Sequence, residues 1–260
     1  MDATATAVTT PAIRFNPILP YFAVLRTDVR QTLQSWVFRL WVIVSLITAV
    51  GYGLYKFGIH REVGLVQSAS EQTGILLRTV GLLTLAFVSL VAIIAISGER
   101  GTVADSILSR GISRYQYFLA KWHSRTLVLL LSFGLLSALV LIAYHFLLEP
   151  DLTFGGGLAC VLIAMSMLAA VIAWGVTVGA ISNGSVIGLT IFWLVLFGGL
   201  FLLSYLPEPF PSPGYVIGQM RSILRGNFDT WRITKVMMIF LFIAALGGTV
   251  GLVGYSKKDV

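Results

Sequence analysis

Residues 152–207 contain no Asp, Glu, Lys or Arg. A solvated face needs polar side chains at helical or strand spacing, and this stretch supplies few besides Ser182, Asn183 and Ser185. A helix crosses about 30 Å of hydrocarbon with about 20 residues. The stretch is too long for one crossing and accommodates two, divided at Ser182-Asn183-Gly184-Ser185, a turn-forming cluster. The rest of the chain agrees: 57% of residues are hydrophobic, 11% are charged, and mean hydropathy is +0.90. An ordinary soluble domain has about 25% charged and 45–50% apolar residues. This composition excludes a soluble enzyme, a disordered chain and a nucleic-acid-binding module. The apolar excess must face lipid.

Charge-free runs at 79–98, 126–148 and 236–256 supply further crossings, and residues 36–55 reach spanning length if Arg39 snorkels to the interface. The expected fold is all-α, with six transmembrane helices at about 36–55, 78–97, 125–148, 158–181, 186–205 and 234–255. Residues 1–35 form a cytoplasmic or interfacial segment, 36–255 the membrane domain, and 256–260 a cytoplasmic tail. The N-terminal segment, interrupted by Pro11, Pro17 and Pro20, has no apolar core of a cleavable signal. An even number of crossings puts both termini on one side. With the termini inside, eleven of the 18 Lys and Arg fall on the inner side and seven on the outer. This favours a cell-membrane protein with cytoplasmic termini. The basic balance is then topological, and no nucleic-acid partner is expected. The single cysteine, Cys160, lies within a span, so no internal disulfide forms.

Three segments outside the spans carry pattern. Before the first span, Ile18, Phe22, Leu25, Val29, Leu33 and Trp36 recur at steps of three or four, with Arg26 and Arg30 off that stripe. This predicts an interfacial helix whose Phe22, Leu25 and Leu33 enter the bilayer and whose arginines meet anionic headgroups. Its alternative is direct continuation into the first span. Residues 97–125 hold seven charges, with Thr102 and Asp105 placed to start a short helix, Arg110-Gly111 to break it, and Ser113 and Gln116 at capping-box spacing to start the next. Val103, Ile107 and Leu108 give the short helix an apolar face ringed by charge, which suits either a docking surface or a solvated loop. Residues 206–233 open with four prolines and continue as a short amphipathic helix on the outer face. Glu149-Pro150-Asp151 forms a tight acidic corner that could be only a solubilising turn.

Catalytic signals are sparse. His60, His123 and His145 lack metal-ligand spacing, no GxSxG or HExxH occurs, and there is no GxxxxGK[ST] phosphate loop. The spans lack the mid-membrane acids and arginines that ion-coupled transporters use. Gly175/Gly179, Gly184/Gly188 and Gly247/Gly251 have the spacing that lets helices approach closely, without saying which pairs do so.

The segment Ser97-Gly-Glu-Arg-Gly-Thr-Val-Ala-Asp-Ser-Ile-Leu-Ser109, followed by Arg110-Gly-Ile-Ser-Arg114 and Tyr-Gln-Tyr-Phe-Leu-Ala-Lys121, resembles the hallmark of type-2 ABC transporter permeases. Glu99, Gly101-Thr102, Ile107-Leu108-Ser109, Ser113-Arg114 and Lys121 match. Arg110-Gly111 stands where the family often has proline, and Ala120 where it has glycine. The resemblance implies a non-catalytic permease subunit of an exporter, with no cofactor of its own. ATP and Mg would be bound by a separate cytoplasmic P-loop ATPase, and two permeases, identical or paralogous, would pair in the bilayer. Glu99, Arg100 and Asp105 would then anchor a coupling helix in the ATPase, with Val103, Ile107 and Leu108 making apolar contact. Arg114 and Lys121 would fix the next helix against the ATPase or headgroups. The alternatives are a membrane scaffold with a permease-like fold and a polytopic lipid-processing enzyme. The cargo is not encoded in the motif.

Overall fold

The computed structural model describes residues 18–98, 112–205 and 213–257, and these are helical apart from short connections. In chain order the helices are α1 (Leu19–Gln34), α2 (Trp36–Glu62), α3 (Ala69–Ser97), α4 (Arg114–Leu147), α5 (Phe154–Ile181), α6 (Ser185–Ser204), α7 (Pro213–Gly218), α8 (Met220–Leu224) and α9 (Thr230–Ser256). Five of them, α2, α3, α4, α5 and α9, are long and apolar enough to cross a bilayer. The described residues form an all-helical protein of multi-pass membrane type. The expected span at 186–205 coincides with α6, whose apolar portion at Ser185–Gly199 is shorter than the other five.

Helix ends follow local capping chemistry. Ser35 is extended (φ −64°, ψ 138°) and its hydroxyl accepts from the Phe38 amide, so the chain breaks between α1 and α2 rather than running on as one helix. At α4, Ser113 and Gln116 form the reciprocal capping box expected from their spacing. The Ser182–Gly184 bend separates α5 from α6. Five helices outrun their expected spans: α2 continues to Glu62, and α3, α4, α5 and α9 begin early, at Ala69, Arg114, Phe154 and Thr230. Charge-free windows locate the hydrocarbon crossing, whereas the backbone hydrogen-bond ladder continues beyond it into polar sequence.

The bundle is built around α5. It packs most extensively on α9 and α3, and also touches α4, α6 and α8. Small residues permit this. A Cβ on Gly179 would run into the Ile93 carbonyl of α3, and one on Gly251 of α9 would meet Thr177 and Phe118. The pairs Gly175/Gly179 and Gly247/Gly251 therefore serve the α5–α3 and α5–α9 contacts, whereas a Cβ on Gly184 would meet no neighbour. Thr177 Oγ1 donates to the Gly247 carbonyl at 2.7 Å, and Trp174 Nε1 to the Ile243 carbonyl at 3.1 Å, which adds hydrogen bonds to the α5–α9 seam. The segment expected to lie on the outer face is drawn further in. Val216, Met220, Ile223 and Leu224 of α7 and α8 are buried in a cluster with Cys160 and Ile163 of α5.

Candidate functional site

Two polar clusters stand out, one at each end of the bundle. The first joins α1 to α4. Asp28 lies on the face of α1 turned toward α4 and is 1% exposed. Lys121 Nζ donates to Asp28 Oδ1 at 2.7 Å and Arg125 Nη2 to the same oxygen at 3.1 Å, while Ser124 Oγ donates to Oδ2. All four side chains are buried. Lys121 and Arg125 are one turn apart on α4, so their side chains share a face. Lys121 Nζ also sits 5.6 Å from the centre of the Tyr117 ring. Nearby, Tyr21 Oη and His123 Nδ1 share a hydrogen bond of 2.9 Å. A carboxylate buried this deeply is tolerable only when cations and hydroxyl donors replace its water shell.

This geometry revises the expected role of Lys121. Rather than facing a partner or headgroups, it is 3% exposed and holds Asp28. It stands seven residues after the start of α4, about 10 Å along the helix, where the neighbouring surface is α1. Arg114 opens α4 and is half-buried. Glu99, Arg100, Gly101, Thr102, Val103, Asp105, Ile107 and Leu108 lie outside the described residues.

On α1, Phe22 and Leu33 are exposed, Leu25 is half-buried, and Arg26 and Arg30 are exposed. Apart from Val29, the apolar stripe therefore faces away from the packed side of α1. The face packed on the protein is the polar one, built on Asp28 and Thr32 with Val24 and Val29 beside it. Sequence reasoning passed over Asp28. The available signal was one acid facing helix neighbours that include no base at ion-pair spacing, while Lys121 and Arg125 recur four apart among apolar residues in α4.

The second cluster ties together the loops at the opposite end. Asp151 Oδ2 accepts from Ser68 Oγ at 2.6 Å, Ser70 Oγ at 2.6 Å and Arg225 Nε at 2.9 Å; Oδ1 accepts from the Ser70 amide at 2.7 Å. Arg225 Nη2 reaches the same Oδ2 at 2.9 Å. Backbone bonds reinforce it: the Ala69 amide donates to the Glu149 carbonyl, the Glu149 amide to the Gln67 carbonyl, and the Thr153 amide to the Leu224 carbonyl. Partial burial opposes ionisation of Asp151, but the serine hydroxyls, the Ser70 amide and Arg225 outweigh it and hold its pKa down at about 2. The acidic corner is thus the fastener of three connections, more than a solubilising turn.

The histidines are scattered. His60 Nδ1 meets the α2–α3 loop, His123 meets Tyr21, and His145 is exposed beside Phe146. Among the described residues no three His, Cys, Asp or Glu side chains are grouped to hold a metal ion. What the two clusters offer is mechanical: they fix α1 on α4 at one end and lock the loops at the other. No family model matches the chain, and no curated protein matches it.

Proposed function

We propose that this chain is the transmembrane permease subunit of an ATP-driven ABC exporter, with six crossings and both termini in the cytoplasm. A separate P-loop ATPase docks on residues 99–111 and a second permease copy or a paralogue completes the pathway. The observation that carries the reading is the setting of the 97–121 motif. It connects two long apolar helices, α3 and α4, and its distal end is anchored by the Ser113 capping box and the buried Asp28–Lys121–Arg125 cluster. A push on that loop is then delivered to α4 and α1 as one body, instead of being absorbed by a loose hinge. In this reading α1 lies along the cytoplasmic interface, with Phe22, Leu25 and Leu33 toward lipid and Arg26 and Arg30 toward headgroups. Glu99, Arg100 and Asp105 anchor the ATPase, and Val103, Ile107 and Leu108 fill its groove.

Cys160 is buried, so an introduced cysteine reacts cleanly. Asp105→Cys, treated in native membranes with a thiol-reactive cross-linker, should capture a P-loop ATPase identifiable by mass spectrometry. Glu99→Arg should weaken that capture while leaving the membrane subunit folded. Recovery of the folded chain with no ATPase, by cross-linking and by co-purification alike, would overturn the assignment.

A further inference from the structure

Beyond any ATPase partner, the bundle carries a groove of about 350 Å³ between α2, α3 and α4. Trp41, Ala49 and Gly53 of α2, Leu76 and Thr84 of α3, and Tyr144 of α4 are among its lining residues. Along α2 it runs from Trp41 to Leu54, about 20 Å of helix, and this lies within the segment long and apolar enough to cross the membrane. Its floor is closed and its rim is open: Trp41 is 1% exposed, whereas Val50 is 56% and Leu139 59%. Ser45 lines it too, 4% exposed, with a hydroxyl that has no hydrogen-bond partner among the described residues. Among the described residues no helix closes over that wall.

Just past the Leu54 end of the groove, α2 carries a cation. Lys56 lies just beyond Gly53 and Leu54 on α2, its ammonium 5.5 Å from the Tyr52 ring centre and 5.8 Å from that of Tyr55. The same Tyr52 donates to Gln72 Oε1 of α3 at 2.6 Å, bridging the two helices above the groove. Lys56 forms no ion pair with a carboxylate among the described residues. A lysine backed by two tyrosines at the end of an apolar helix segment is placed at headgroup level.

We propose that this groove holds one acyl chain of a phospholipid, with the lipid phosphate on Lys56. In hydrocarbon an apolar groove with an open rim is filled by the surrounding solvent, which is acyl chain. The cation two residues beyond it on α2 selects the anionic end of that amphiphile, and the bridged Tyr52 fixes where the head must stop.

The test uses the full chain, purified in mild detergent from membranes containing phosphatidylethanolamine and phosphatidylglycerol and examined by native mass spectrometry. The wild type should keep one phospholipid per chain through detergent exchange. Val50→Trp, at an exposed rim position, should lower that retention about tenfold, because the indole takes the space of roughly two chain methylenes. Lys56→Gln should weaken retention while leaving the thermal unfolding midpoint unchanged. Equal retention in the wild type and Val50→Trp would overturn the proposal. So would disulfide or bis-maleimide dimers of Val50→Cys in native membranes, which would assign the groove to a second copy.

Discussion

Asp28 answers two cations from a position that is 1% exposed. Removing its charge therefore costs more than one hydrogen bond, since Lys121 and Arg125 stay buried after their shared acceptor is gone. Asp28→Asn should lower stability by about 3–5 kcal/mol, read as a large fall in the thermal unfolding midpoint in detergent. Asp151 behaves differently because its Arg225 partner is 39% exposed. Its folded pKa, about 2, lies below the ordinary 3.8. Its contribution is therefore present above pH 4 and is lost as pH falls through about 2. After screening it amounts to about 1 kcal/mol. Asp151→Asn should be less stable than the wild type at neutral pH, and the gap should close between pH 4 and pH 2, as followed by thermal melts across that range.

At the scale of elements, the helix boundaries that sequence reasoning placed well are those with short-range chemistry. The Ser182–Ser185 break and the Ser113–Gln116 box depend on residues within a few positions of each other, and both were legible. Ser113→Ala should cost about 1 kcal/mol, measured as earlier unfolding of α4 by hydrogen exchange at residues 114–117. What was not legible depends on partners far along the chain. The polar face of α1 is explained only by Lys121 and Arg125, 93 and 97 residues away, and the apolar stripe of the same helix points elsewhere. The corner at Asp151 acquires its meaning from Ser68 and Ser70 at the start of α3 and from Arg225 after α8, two places far from it in the sequence. Glycine spacing likewise showed that helices approach closely, but the choice of α3 and α9 as partners of α5 lies in the packing. The contrast can be measured. Gly179→Val places carbon against the Ile93 backbone and should destabilise by at least 1–3 kcal/mol, whereas Gly184→Ala meets no atom within 4 Å and should change stability little.

For the whole molecule, the arrangement sorts its polar attachments to the two ends and leaves an apolar waist. If both termini are cytoplasmic, Asn227→Cys should react with a membrane-impermeant maleimide added to intact cells, and Lys257→Cys should react only after permeabilisation. Reaction of both from outside would show that α9 does not cross as proposed. Residues 97–121 carry the functional reading, so folding and coupling should separate experimentally. Substitutions at Asp28 or Gly179 should remove the protein from the membrane, while Glu99→Arg should leave it there and silent.

The seam between α5 and α9 also bears on synthesis. Helix α5 ends at Ile181 and α9 at Ser256, so at roughly 5–20 residues per second the ribosome delivers the covering helix about 4–15 s after the one it covers. During that interval the Thr177 hydroxyl and the Trp174 indole lack the carbonyls they will use, and the bilayer offers few substitutes. A chain truncated ahead of residue 230 should therefore be recognised by membrane quality control and degraded, although every crossing before α9 has already been made. The last helix acts as a checkpoint on completion, and its arrival decides whether the earlier helices persist.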